Sequence, residues 1–153
     1  MAEIRVGDEI GVEWWPESVE ASDSTLISNI TSTTFIPGSP ECGVGFTSAK
    51  SGRAAVCVSA GMTEQVAGRL LVTFEVYRGT SASGTLVRSA RTGNGIATHA
   101  DTTGTAREMV RGNMTMVEEL TPGVAHYARI VYAVDSGTTN DLRQRRITVI
   151  PLP

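Results

Sequence analysis

The sequence is poor in the residue types that carry reactive chemistry. Two histidines, His99 and His126, and two cysteines, Cys42 and Cys57, are all the imidazole and thiol groups that 153 residues hold. Neither histidine has a second His, Cys or carboxylate at metal-ligand spacing. His99 and Asp101 share only the short glycine-flanked turn "THAD". Both histidines read as strand or loop residues with ordinary hydrogen bonds. There is no P-loop, no GxGxxG, no GxSxG and no HExxH. The adjacent acids Glu118 and Glu119 fall on opposite faces of an expected strand, so they cannot converge on a substrate as a glycosidase pair must. The expectation is a chain with no catalytic residues, no metal and no cofactor, and not an enzyme.

Other scarcities exclude other classes. Aromatic residues make up 5% of an acidic chain, net charge −3, too few for base-stacking platforms, so nucleic acid is not an expected partner. No window approaches the ~18 apolar residues of a membrane span. The opening "MAEIRVGDEIG" lacks the layout of a signal peptide, which sets the expectation of folding in a cytoplasm. Two cysteines are too few for a disulfide framework. Cys57, in an apolar run, reads as a buried small hydrophobe; a Cys42–Cys57 bridge stays open, with a reducing compartment favouring free thiols. Lysine is nearly absent: twelve of thirteen bases are arginine. Arginine suits interface ion pairs, although a GC-rich genome gives the same bias and is the preferred reading.

What is present is strand pattern. "RAAVCVSAG" puts Val56, Val58 and Ala60 on one face, and "RLLVTFEVYRG" alternates Leu70, Val72, Phe74 and Val76 against Leu71, Thr73, Glu75 and Tyr77. "NMTMVEEL" and "VAHYARIVYAVD" alternate in the same way, the latter lining up His126, Ala128, Ile130, Tyr132 and Val134. "GTLVRSAR", "NGIATHA" and "RRITVIPLP" complete the set, and "TGTAREMVRG" is the one helix-like window. Turn signals separate the runs, among them "GTSASG", "TPG" and "DSGTTND". The pattern predicts an all-β fold, an antiparallel β-sandwich or jelly roll, over residues 46–153. Residues 1–45, broken by Ser, Thr, Pro and Gly, read as an extended N-terminal arm with a short strand at "AEIRV".

Charge divides at the same place. Residues 1–45 hold eight acids against Arg5 alone, and residues 46–153 hold eight acids against twelve bases. Such asymmetry suits the acidic arm of one subunit meeting the basic body of another subunit or protein; a solvated, soluble arm is the plainer reading. Both tryptophans lie side by side in "EWWPE". Aromatic anchors are typical of interface centres, so Trp14, Trp15 and Pro16 are expected to dock on a partner, the alternative being that they fold back onto their own sheet. Arg143, Arg145 and Arg146 are expected to meet acids of neighbouring subunits.

Two motifs carry family resemblances. "FTSAKSGRAAVCVSAGM" resembles the strand–turn–strand opening of jelly-roll heads of the complement and tumour-necrosis-factor type, with Phe46, Gly52 and the strand through Val58 in the matching places. "LTPGVAHYARIVYAV" resembles the tyrosine corner of fibronectin type III sandwiches, except that His126 stands where the tyrosine usually falls and Tyr127 comes one later. More broadly, residues 42–153 are similar to small β-sandwich proteins coded by phages of actinobacteria. That resemblance implies a virion protein assembled in the host bacterial cytoplasm. The expected role is a homotrimeric capsid decoration protein whose partners are itself and a major capsid or other virion protein. The alternative is a receptor- or glycan-binding knob of a tail fibre.

Overall fold

The computed structural model describes residues 16–64, 68–98, 107–135 and 140–153. Trp14, Trp15, the "AEIRV" stretch, His99 and Asp101 lie outside the described residues. The strands are β1 (Val19–Asp23), β2 (Ile27–Ile30), β3 (Ile36–Pro37), β4 (Gly43–Thr47), β5 (Arg53–Glu64) and β6 (Leu70–Arg78). They continue with β7 (Thr85–Arg88), β8 (Ile96–Ala97), β9 (Arg107–Val117), β10 (Ala125–Val134) and β11 (Asn140–Leu152). The first sheet runs β1-β11-β5-β9, with β2 also paired to β11. The second runs β3-β10-β6-β7, with β4 paired to β10 and β8 to β6. Every pairing is antiparallel. The molecule is an antiparallel β-sandwich, as the alternation predicts.

The period-2 faces pack as expected. Val56, Val58, Ala60 and Met62 of β5 and Leu70, Val72, Phe74 and Val76 of β6 are buried in one core with Ala128, Ile130 and Val134 of β10 and Leu142, Ile147 and Val149 of β11. Each large apolar side chain withdrawn from water there contributes about 1.5–3 kcal/mol, which is why the inward face tolerates so few polar residues.

Three departures bear on function. First, most of the expected arm is part of the sandwich. β1 and β2 border β11, while β3 and β4 border β10, and Val19, Ala21, Ile27, Ile30, Cys42 and Val44 join the core or pack on it. These strands are two to five residues long, too short to show alternation among their Ser, Thr and Pro neighbours. The described chain before β1 is only Pro16, Glu17 and Ser18. Second, the described part of the helix-like window is strand: residues 107–112 begin β9, which pairs β5 from Glu64↔Arg107 to Ala54↔Val117. Its Ala, Arg, Glu and Met favour helix weakly, and an eleven-residue ladder outweighs that preference. β9 ends at Val117, so Glu118 and Glu119 follow the strand, Glu119 with φ +64°. Third, Cys57 is less buried than its apolar run suggests. Cys42 is the buried one, Cys57 sits half-buried on the outer face of β5, and both are free thiols.

Candidate assembly interface and edge groove

The outer face of the first sheet is built from small residues bordered by exposed apolar ones. Along β5 it presents Ala55, Cys57, Ser59 and Gly61, opposite Met116, Met114, Gly112 and Val110 of β9 and Ile150, Thr148, Arg146 and Arg143 of β11. Val110 is 71% exposed, Met114 63% and Met116 39%. They lie on a sheet-edge strand that has no second strand partner among the described residues. A shallow depression of about 320 Å³ lies over Cys57, Ser59, Gly112 and Met114. A flat face of small residues rimmed by exposed methionines and valine lets another surface approach closely, and flexible methionine repacks readily against it.

The three arginines expected to face partners do not share one environment. Arg146 lies 3.1 Å from Glu20 of β1, which also accepts from Thr148 Oγ1 at 3.1 Å, and Arg143 pairs with Glu108 of β9. Both pairs sit on the exposed outer face, where an ion pair contributes about 0–1 kcal/mol and can be exchanged for a partner's carboxylate. Arg145 faces the other way. A bulge in β11 between Arg143 and Arg146, with Gln144 at φ +49°, sets two residues against one of β5 and turns Arg145 inward. Its guanidinium is fully buried, donating to Asp23 Oδ1 at 2.5 Å and to the Pro40 carbonyl at 2.9 Å. A Cβ on Gly38 would lie 1.9 Å from Arg145 Nη1, so glycine is needed for that approach. Burial pushes the Asp23 carboxyl up, but the Thr25 N–H and the Arg145 guanidinium outweigh it and hold it below its ordinary value. Arg145 therefore fastens β1 and the 38–40 turn to β11 within its own chain. Consecutive arginines give no sign of a bulge, so the sequence alone does not separate Arg145 from its neighbours.

A second polar cluster, absent from the sequence reading, lies on the outer face of the second sheet. Arg129 donates to Glu41 Oε2 at 2.7 Å and to Glu75 Oε2 at 3.0 Å, and its guanidinium stands 5.1 Å from the centre of the Tyr77 ring. Tyr77 and Tyr127 donate to Glu75 and Glu41 at 2.6 and 2.7 Å. Burial, together with the Glu41 carboxylate, pushes the Tyr127 hydroxyl up to about 12. Burial alone would raise Glu41, but the Tyr127 hydroxyl and Arg129 hold it down. These groups satisfy one another across β4, β10 and β6. The cluster reads as a clasp, and its members were visible in the sequence only as the polar half of alternating strands.

A groove of about 730 Å³ lies at the sandwich edge where β1 meets β4. Pro16, Glu17 and Val19 form one wall, and Phe46, Thr47 and Ala125 another. His126 also lines it, its ring stacked on Phe46 with centroids 5.5 Å apart. Nδ1 lies 2.9 Å from the Val124 carbonyl, which only accepts, so Nδ1 carries the proton. That leaves Nε2 a bare acceptor, enclosed and without a partner among the described residues. Burial pushes the His126 pKa down, and nearby Arg78 adds to this. Pro16 thus lies in the groove wall, while Trp14 and Trp15 immediately precede it outside the described residues. Among the described residues, no three His, Cys, Asp or Glu side chains are grouped to hold a metal ion.

No protein-family model and no curated protein matches the chain. Several solved structures are similar in fold. Eiger TNF from S. frugiperda superimposes with a TM-score of 0.44 at 8% identity, covering 89% of this chain and 93% of that one. A chain of infectious bursal disease virus, Gt strain, gives 0.44 at 14% identity over 90% of this chain, which spans about a third (34%) of the viral chain. The enzymatically active domain of tailspike protein 4 from bacteriophage CBA120 gives 0.35 at 10% identity, covering 86% of this chain and 19% of that one.

Proposed function

We propose that the chain is a structural subunit of a phage virion, a homo-oligomer, trimeric by expectation, that decorates and reinforces the capsid, and not an enzyme. The observation that carries the assembly role is the apolar rim of β9, with Val110, Met114 and Met116 exposed beside a floor of alanine, cysteine, serine and glycine. Long, flat, apolar sheet edges left open to water promote uncontrolled association, and stable proteins cover them. A neighbouring copy supplies that cover, with Arg143 and Arg146 able to exchange their intrachain acids for acids of the neighbour. The virion setting rests on the resemblance of residues 42–153 to small phage β-sandwich proteins.

The test adds purified protein to empty shells of the encoding phage. The proposal expects saturable binding at fixed stoichiometry and shells that resist higher temperature when coated. Binding to host cells with none to shells overturns the decoration role in favour of a tail-fibre knob.

A further inference from the structure

We infer that the neighbouring copy covers the β9 rim with the opposite edge of its own first sheet, the edge formed by β1, β2 and Leu26. The inference rests on the assembly reading above and names the surface that meets β9. Val110 and Met114 on one edge and Leu26 on the other, 71%, 63% and 57% exposed, are the three most exposed large apolar side chains among the described residues. The register puts two of them at one height. Ile27, Leu142, Met62 and Met109 form a single rung across β2, β11, β5 and β9. Leu26 immediately precedes Ile27 and Val110 follows Met109. Because β2 and β9 run in opposite directions, both residues stand one step to the same side of that rung. A copy turned about an axis along the strands, with no shift along it, therefore presents its Leu26 to Val110 and its β2 antiparallel to β9.

The charges of the two edges are complementary. Residues 16–37, which carry β1 and β2, hold Glu17, Glu20 and Asp23 and no base. On the β9 side, Arg111 lies on the strand itself, and Arg91 stands beside the turn Thr92–Asn94, whose Asn94 carbonyl accepts from Thr115 of β9. Both arginines are exposed and neither forms an ion pair among the described residues, while Glu108 is already paired with Arg143. Acidic and basic edges at opposite ends of one sheet steer copies together head to tail. A second β9 rim is a poorer cover, because it brings the same unpaired arginines toward each other. A head-to-tail contact leaves each copy one edge of either kind and is satisfied throughout only when the copies close into a ring.

The experiment starts from a Cys57→Ser chain, whose remaining thiol, Cys42, is buried, and adds Leu26→Cys, Val110→Cys or both. Three strand spacings hold the two positions about 14 Å apart within one chain, beyond the reach of a disulfide. After mild oxidation each protein is separated by mass in denaturant without reductant. The double variant is expected to give covalent multiples that end at the ring size, and each single variant a monomer only. A covalent dimer from Val110→Cys alone overturns the inference in favour of paired β9 rims, and one from Leu26→Cys alone overturns it as well. A double variant that stays unlinked while light scattering finds an oligomer overturns the edge assignment and leaves the assembly reading standing. An unlinked double variant that is monomeric by light scattering, as its parent is, overturns both.

Discussion

Removing the Asp23 carboxylate tests the buried clasp around Arg145. Asp23→Ala leaves a fully buried guanidinium with only the Pro40 carbonyl, its Nε already lacking a partner among the described residues. Breaking a buried pair from one side costs about 3–5 kcal/mol. The Asp23 side chain is 20% exposed, so some water reaches the site and the low end, about 3 kcal/mol, is expected. For a domain of this size, each kcal/mol moves Tm by roughly 2–4 °C, giving a drop of about 6–12 °C. Arg145→Met removes the buried charge and keeps the bulk; the Asp23 carboxylate it leaves is 20% exposed and still accepts from the Thr25 N–H, so this variant should cost less than Asp23→Ala. In that background Asp23→Ala should cost only about 1 kcal/mol, for the lost Thr25 N–H bond. Urea denaturation of the four proteins closes the double-mutant cycle, with an expected coupling of about 2 kcal/mol. Equal costs of Asp23→Ala in both backgrounds would refute the account of Arg145 as an intrachain fastening.

Three further outcomes are expected. His126 is held neutral with its pKa below the unfolded value of about 6.5, so its contribution is present above that pH and is lost as pH falls through the unfolded pKa. Between about pH 6.5 and 5, before the carboxylates titrate, wild-type Tm should fall and His126→Phe, which keeps the stack on Phe46, should show no such slope. Gly43→Ala would place a Cβ 2.4 Å from Tyr127 Oη and 2.9 Å from the Ala128 carbonyl oxygen; it should cost about 1–3 kcal/mol by urea denaturation. Phe74→Ala, at a ring 1% exposed in the core, should cost about 3–5 kcal/mol by the same measurement.

Strand faces were legible where a run was long enough to repeat. Val56 through Met62 and Leu70 through Val76 alternate for four apolar positions each, and their inward faces follow directly. Residues 19–47 were not legible, because β1 to β4 show at most two or three alternations before a Ser, Thr or Pro interrupts. Their place in the sheets is fixed by the edges of β10 and β11 more than a hundred residues in sequence from β1. Arg145 was hidden for a related reason: a bulge changes the face of every residue beyond it and leaves no mark in residue type. The exposed β9 rim was half legible, since "NMTMV" shows apolar alternation, but only the pairing with β5 tells that Met114 and Met116 point to water while Thr115 and Val117 point inward. The unpartnered Nε2 of His126 became visible only in three dimensions.

The account's central claim is that the β9 face joins copies of this chain. Light scattering on the purified protein tests it most directly, beside a Val110→Lys, Met114→Lys variant checked for unchanged circular dichroism. The account predicts a wild-type mass that is a whole multiple of 16.2 kDa, with three the expected number, and a variant that falls to 16.2 kDa while still folded. A wild type that remains at 16.2 kDa at tens of micromolar, or an oligomer the two lysines leave intact, would contradict it.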